Sequence, residues 1–192
     1  MTLILSKKYN PLFDSKARYF IITGGRGSGK SFAVTVFLTL LTMSRGIRVL
    51  FTRFTMTSAH LSIIPEFLEK IGLLGFDETF SINKSEVVNA KNKSDILFRG
   101  IKTSAGNQTA SLKSLQGIST WVLDEAEELV DENIFDTIDL SIREKDIQNR
   151  VILILNPVTK EHWIYKRFFE DKGVEGGFNG VKDNVCYIHS TY

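Results

Sequence analysis

The stretch "RYFIITGGRGSGKSFAVTVFLTLLT", Arg18 to Thr42, decides the fold. Arg18 to Thr23 is aromatic and β-branched and runs into glycines, which predicts a buried strand. Lys30 to Thr42 is mostly apolar, is long enough for a helix and stops before Gly46, which predicts a helix. Between them Gly24, four further residues, Gly29, Lys30 and Ser31 reproduce the full phosphate-loop spacing. In such a loop backbone N–H groups converge on phosphate oxygens, and glycines take up conformations that other residues resist. The helix N-terminus behind it adds a favourable dipole. Lys30 then contacts the β- and γ-phosphates, and the Ser31 hydroxyl binds Mg²⁺. The loop as a whole, Gly24, Gly25, Arg26, Gly27, Ser28, Gly29, Lys30 and Ser31, is the candidate nucleotide cradle. A plain glycine turn is the alternative, but the strand before and the helix after are the context the motif requires.

A second site supports the first. "WVLDE" places Asp124 at the end of an apolar strand, where a carboxylate of the Mg²⁺ sphere belongs. Glu125 follows at once, and a glutamate there can polarise an attacking water, so the pair points to hydrolysis. The bland reading is a solvated acidic helix start, and Glu127 and Glu128 are taken as surface charges. "RVILILNP" ends a further strand at Asn156. Ligands in parallel α/β sheets collect at the carboxyl ends of strands, so Asn156 is placed to sense the γ-phosphate or the attacking water, or simply makes an Asn-Pro turn.

The rest of the chain fits one α/β domain. "IRVLFTRF" (Ile47 to Phe54) predicts a strand, and Ser58 to Gly72 a short segment and then a helix with Pro65 near its first turn. "TFSIN", "EVVNA" and "DILFRG" predict a small antiparallel insert. Lys102 to Lys113 reads as a polar loop, Lys160 to Asp171 as a helix, and "NVCYIHSTY" as a last strand. Strands alternating with helices predict a mostly parallel central sheet flanked by helices. The 192 residues suit a single domain spanning 1–192. No apolar run is long enough to cross a bilayer, and the one cysteine, Cys186, has no intrachain partner. A formal net charge of +2 permits nucleic-acid binding without arguing for it.

Two motifs lead elsewhere. "NKSD" (Asn92 to Asp95) has the form of the guanine signature of GTPases, but it precedes "WVLDE" and lies between two short strands, where it makes a polar turn. His60, His162, His189 and Cys186 show no metal-ligand spacing.

Together, "RYFIITGGRGSGKS", "FRGIKTSAG…LKSLQGISTWVLDEAEEL", "ILNPVTKEHWIYKRFF" and "HSTY" resemble the large terminase subunits of tailed bacteriophages, from about Tyr9 onward. The resemblance implies a P-loop NTPase of the ASCE/RecA-like kind, with a strand between those carrying the phosphate loop and Asp124. It implies a Mg²⁺-dependent, ATP-driven motor that moves double-stranded viral DNA into a procapsid. Its partners would be the portal protein, the small terminase subunit and further copies in a ring, in the cytoplasm of the infected host and away from membranes. By the same resemblance Lys30 and Ser31 take the phosphate and Mg²⁺ roles, Asp124 binds Mg²⁺, Glu125 is the catalytic carboxylate and Asn156 falls in the coupling motif. Arg26 matches an arginine inside the phosphate loop, a candidate transition-state contact. Tyr9 and Asn10 lie where terminases contact adenine, though a packing arm is equally open. Arg99, Lys113 and Arg143 are candidates to reach a neighbour's ATP. Large terminases continue into a nuclease domain after the segment where this sequence stops, so no DNA cleavage is expected of these residues. The alternatives are a helicase-like, DNA-stimulated ATPase and a nucleotide-dependent assembly module that hardly hydrolyses.

Overall fold

Each central strand is buried on both faces, so the apolar residues divide by strand alternation into two cores. The computed structural model describes residues 3–56, 63–83, 85–103, 106–107, 112 and 115–191. Strands β1 (Tyr19–Gly24), β2 (Arg48–Thr55), β5 (Asp95–Thr103), β7 (Thr120–Asp124), β8 (Arg150–Leu155) and β10 (Val185–Ser190) form the parallel part of one sheet. At its edges β3 (Phe80–Asn83), β4 (Glu86–Asn89) and β9 (Gly180–Lys182) pair antiparallel, and β6 (Gly106–Asn107) pairs β5. The order across the sheet is β3-β4-β5-β2-β7-β8-β1-β10-β9. Strand β8 therefore separates the strand that enters the phosphate loop from the one that ends at Asp124, as the family resemblance implies.

Phe20, Ile22, Val49, Phe51, Val122 and Ile152 point to one face. There they meet Leu12 of the short helix α1 (Pro11–Asp14), and Ala33, Val34, Phe37 and Phe67 from α2 (Lys30–Leu41) and α3 (Ile63–Leu73). Ile21, Leu50, Trp121, Leu123 and Leu153 point to the other face. They meet Phe135 and Ile138 of α4 (Glu132–Asp139). Trp163, Ile164 and Phe168 join them from α5 (Trp163–Tyr165) and the wider π-turn that continues it over Lys166–Glu170. The continuous burial of β7 is what a parallel strand covered on both sides requires.

Three expectations need correction. "DILFRG" is not part of a separate antiparallel insert: β5 pairs parallel with β2 along Arg48↔Asp95 to Thr55↔Lys102, and only its other side takes the hairpin β3–β4. Ile96, Leu97 and Phe98 are buried in succession, so the strand is covered on both faces like its neighbours. The helix expected from Lys160 begins only at Trp163, because His162 is extended and its side chain accepts from the Ile164 N–H, capping the first turn. The polar stretch from Lys102 opens as strand, since β5 runs through Thr103 and pairs with β6; residues 104–105, 108–111 and 113–114 lie outside those described.

"NKSD" makes the polar turn expected of it. Asn92 Nδ2 donates to the Thr42 and Met43 carbonyls at the end of α2, and its Oδ1 accepts from the Ser94 N–H at 2.8 Å. Ser94 Oγ donates to the Ser44 carbonyl, and Asp95 pairs with Arg48. These polar side chains are spent on holding the helix end and the strand start. Among the described residues no helix is long and apolar enough to cross a membrane.

Candidate nucleotide site

The chain leaves β1 at Gly24, turns through the phosphate loop and enters α2 at Lys30. Gly24 has φ +152°, and a Cβ there would lie 2.2 Å from the Ser190 carbonyl oxygen. Only glycine lets β10 pack this closely against the root of the loop. Gly29 precedes the helix at φ +82°, in the left-handed region. The helix has no side-chain cap. Its first N–H groups, which have no intrahelical partner, thus remain available at the loop. The loop is braced from behind at one carbonyl: Ser28 O accepts from Tyr9 Oη at 3.1 Å and from Ser190 Oγ at 2.9 Å.

Arg26 to Phe32 line one wall of a cleft of about 440 Å³. Arg53, Glu66, Asp124, Glu125, Glu127, Glu128 and Ile154 to Asn156 line the other. Lys30 is largely buried, and its Nζ donates to the Gly24 carbonyl at 2.6 Å and the Gly25 carbonyl at 2.9 Å. Burial pulls its pKa down, against the opposing pull of Glu127 and Asp124. Asp124 ends β7 at 3% exposure, and its Oδ2 accepts from Arg53 Nε at 2.8 Å and Nη2 at 2.6 Å. Burial raises the Asp124 pKa even so, with Arg53 working the other way. The same guanidinium reaches Glu125 Oε2 at 3.7 Å. Glu125 is a non-glycine residue in left-handed geometry, φ 54° and ψ 47°. Such strain persists where the surroundings over-determine it, and here the residue lines the cleft. Its pKa is raised, by burial first and then by the neighbouring acids, with Arg53 opposing.

A model of the phage terminase large subunit family matches residues 16–192. The chain belongs to that family. Among curated proteins none matches. Solved structures similar to this terminase chain show the same fold at low identity. The large terminase of a thermophilic bacteriophage superimposes with a TM-score of 0.72 at 14% identity, covering 98% of this chain and 46% of that one. That thermophilic-phage protein has also been solved with ADP and with ATP-γ-S. The large terminase ATPase domain of Thermus phage P74-26 gives 0.69 at 20% identity, covering 97% and 80%. The N-terminal domain of the DNA-packaging ATPase of bacteriophage phi29 gives 0.70 at 18% identity, covering 96% of each chain. The chain thus spans under half the length of the thermophilic-phage large terminase.

The other residues singled out in this terminase sequence separate by position. Ser31 is half-buried in the cleft, and Arg26 is exposed at its rim. Tyr9 is 4% exposed beneath the loop, and Asn10 is exposed. Arg99 is half-buried and donates to the Ser85 and Phe98 carbonyls, away from the cleft, and Arg143 is exposed. Lys113 and His60 lie outside the described residues. His162 caps α5, and His189 Nδ1 lies 2.9 Å from Thr23 Oγ1. Glu127 is not the surface charge expected of it: it is half-buried in the cleft wall, with Oε1 accepting from Asn156 Nδ2 at 2.6 Å. Sequence reasoning missed Arg53 altogether, because its partner Asp124 lies 71 residues away on a strand whose neighbourhood depends on sheet order.

The cleft's chemistry fits a nucleoside triphosphate with Mg²⁺. An uncapped helix start and a buried lysine suit phosphate charge, and acids stand across from them. Among the described residues no group of three or more His, Cys, Asp or Glu is arranged to hold a metal by itself.

Proposed function

We propose that this chain is the ATPase module of a viral DNA-packaging motor, hydrolysing ATP with Mg²⁺. The observation that carries the reading is the convergence of Lys30, Asp124, Glu125 and Asn156 on one cleft at the carboxyl edge of the sheet, directly on the phosphate loop. Family membership and the nucleotide-bound thermophilic-phage terminase support it.

In this reading the loop amides and Lys30 bind the phosphate oxygens, and Arg26 contributes charge from the rim. Ser31 and Asp124 would hold Mg²⁺, which when bound neutralises charge developing on the phosphates. Arg53 holds the Asp124 carboxylate in place through Oδ2. Glu125 accepts a proton from the attacking water. In this reading the chain acts on double-stranded DNA with the portal, the small subunit and a ring of copies in the host cytoplasm, a proposal supported by likeness to the family and not by charge or shape on this chain.

Replacing Glu125 with alanine tests it. ATP binding should persist while phosphate release falls by about 10²–10⁴-fold. Turnover at the parent rate would remove Glu125 from the mechanism.

A further inference from the structure

We propose that Glu127 is a positioning residue which fixes the orientation of the Asn156 amide, so that Asn156 meets the reacting groups as a hydrogen-bond acceptor. This rests on the ATPase reading for its catalytic half, but the pairing itself does not.

Asn156 follows the last residue of β8, and both ends of its amide are engaged. Nδ2 donates to Glu127 Oε1 at 2.6 Å, and Oδ1 accepts from Lys30 Nζ at 3.4 Å. An ionised carboxylate can only accept, and an ammonium can only donate. Turning the amide over would set N–H against ammonium and carbonyl oxygen against carboxylate, losing both bonds. The partners therefore decide the orientation, which chemically similar O and N atoms would otherwise leave open.

Glu127 is itself held from the far side. Its peptide carbonyl lies 3.1 Å from His162 Nε2, and His162 Nδ1 accepts from the Ile164 N–H at 3.2 Å. With Nδ1 the acceptor, Nε2 carries the proton and donates to Glu127. Two residues on, the Leu129 carbonyl accepts from Trp163 Nε1 at 2.5 Å. The short turn Ala126–Glu128 is thus pinned to the start of α5. The second carboxylate oxygen, Oε2, is buried without a hydrogen-bond partner among the described residues. Burying an unpaired charged oxygen is costly, so a merely space-filling role would be better served by an apolar side chain or an amide. The one paired oxygen faces Asn156.

The consequence is specific. A carbonyl oxygen facing the cleft can accept a hydrogen bond from the attacking water or from the Lys30 ammonium. It cannot donate to a phosphate oxygen. Of the two catalytic roles open to Asn156, sensing the γ-phosphate or the attacking water, orienting the water is the one compatible with this polarity.

Swapping donor and acceptor tests the proposal. Asn156→Asp alone sets two carboxylates together and should cut turnover by about 10²-fold, the scale of a misplaced reacting group. In the double variant Asn156→Asp with Glu127→Gln, the new glutamine amide donates to the carboxylate introduced at position 156, whose other oxygen still faces Lys30. Turnover should return to within about tenfold of the parent, on the same scale. Urea unfolding without nucleotide should show coupling between the two sites of roughly fivefold or more in the unfolding constant. Additive unfolding effects would overturn the pairing. Coupled unfolding with turnover no better than Asn156→Asp would overturn the acceptor role. If the parent protein bound no nucleotide, the ATPase reading would fail, and the unfolding cycle would still decide whether Glu127 holds Asn156.

Discussion

Removing the Arg53 guanidinium should cost this protein more stability than its position near the end of a strand suggests. The Asp124 carboxylate is 4% exposed and takes two N–H donors of Arg53 on one oxygen, at 2.8 and 2.6 Å. Breaking a buried pair from one side costs about 3–5 kcal/mol, because the remaining charge is left desolvated. Arg53 is itself 26% exposed, so water shares in its solvation. For Arg53→Ala we therefore expect a loss of about 2–3 kcal/mol at neutral pH, below the fully buried range. At roughly 2–4 °C per kcal/mol for a chain of this size, Tm falls by about 4–12 °C.

The pH dependence supplies a sharper check. Burial already raises the folded pKa of Asp124 above its ordinary 3.8. Loss of Arg53 removes the main opposing influence and raises it further. A carboxyl with a raised folded pKa binds its proton more tightly folded than unfolded, so its ionisation costs stability above that pKa and the cost is relieved as pH falls through it. The difference between parent and Arg53→Ala should accordingly shrink toward acid. Adding Asp124→Asn to Arg53→Ala should restore much of the loss at neutral pH. Chemical denaturation at neutral and mildly acidic pH measures both. A deficit under about 0.5 kcal/mol at neutral pH, the range of ordinary surface substitutions, would refute the reasoning, as would a deficit that widens with acid.

Gly24→Ala places a Cβ 2.2 Å from the Ser190 carbonyl, at a φ of +152°. It should cost about 2 kcal/mol or more by thermal unfolding, since the contact is backbone and has no rotamer to yield. The pH–rate profile of hydrolysis should have its acid limb above the ordinary 4.5 of a glutamate, because Glu125 acts deprotonated and its pKa is raised. In Arg53→Ala the limb should move further toward neutral, as the one opposing cation is gone; a limb that stays in place would show that another group sets it.

The fold was legible where signals are local. Strand, loop and helix from Arg18 to Thr42 lie in one contiguous stretch, and Asp124 directly follows an apolar run. The misassignment of "DILFRG" has a physical cause. Ile96, Leu97 and Phe98 are buried in succession, the pattern of a strand covered on both faces, while its flanking hairpin suggested a separate antiparallel unit. The site was legible where one motif supplies both residue and context: Lys30, Ser31, Asp124 and Glu125 all line the cleft. Arg53 and Glu127 were not, because their roles depend on the order β2-β7-β8-β1, which no local spacing encodes. Glu127 looks like one of a run of surface acids until Asn156 arrives from the adjacent strand, 29 residues later.

ATP binding at Gly24 to Ser31 should depend on Lys30. Calorimetric titration of the protein with a slowly hydrolysed ATP analogue and Mg²⁺, repeated on Lys30→Ala, tests it most directly. The parent should show one site per chain, and the variant a loss of at least about tenfold in affinity, some 1.4 kcal/mol. Equal affinity in both, or no binding by the parent, would contradict that dependence.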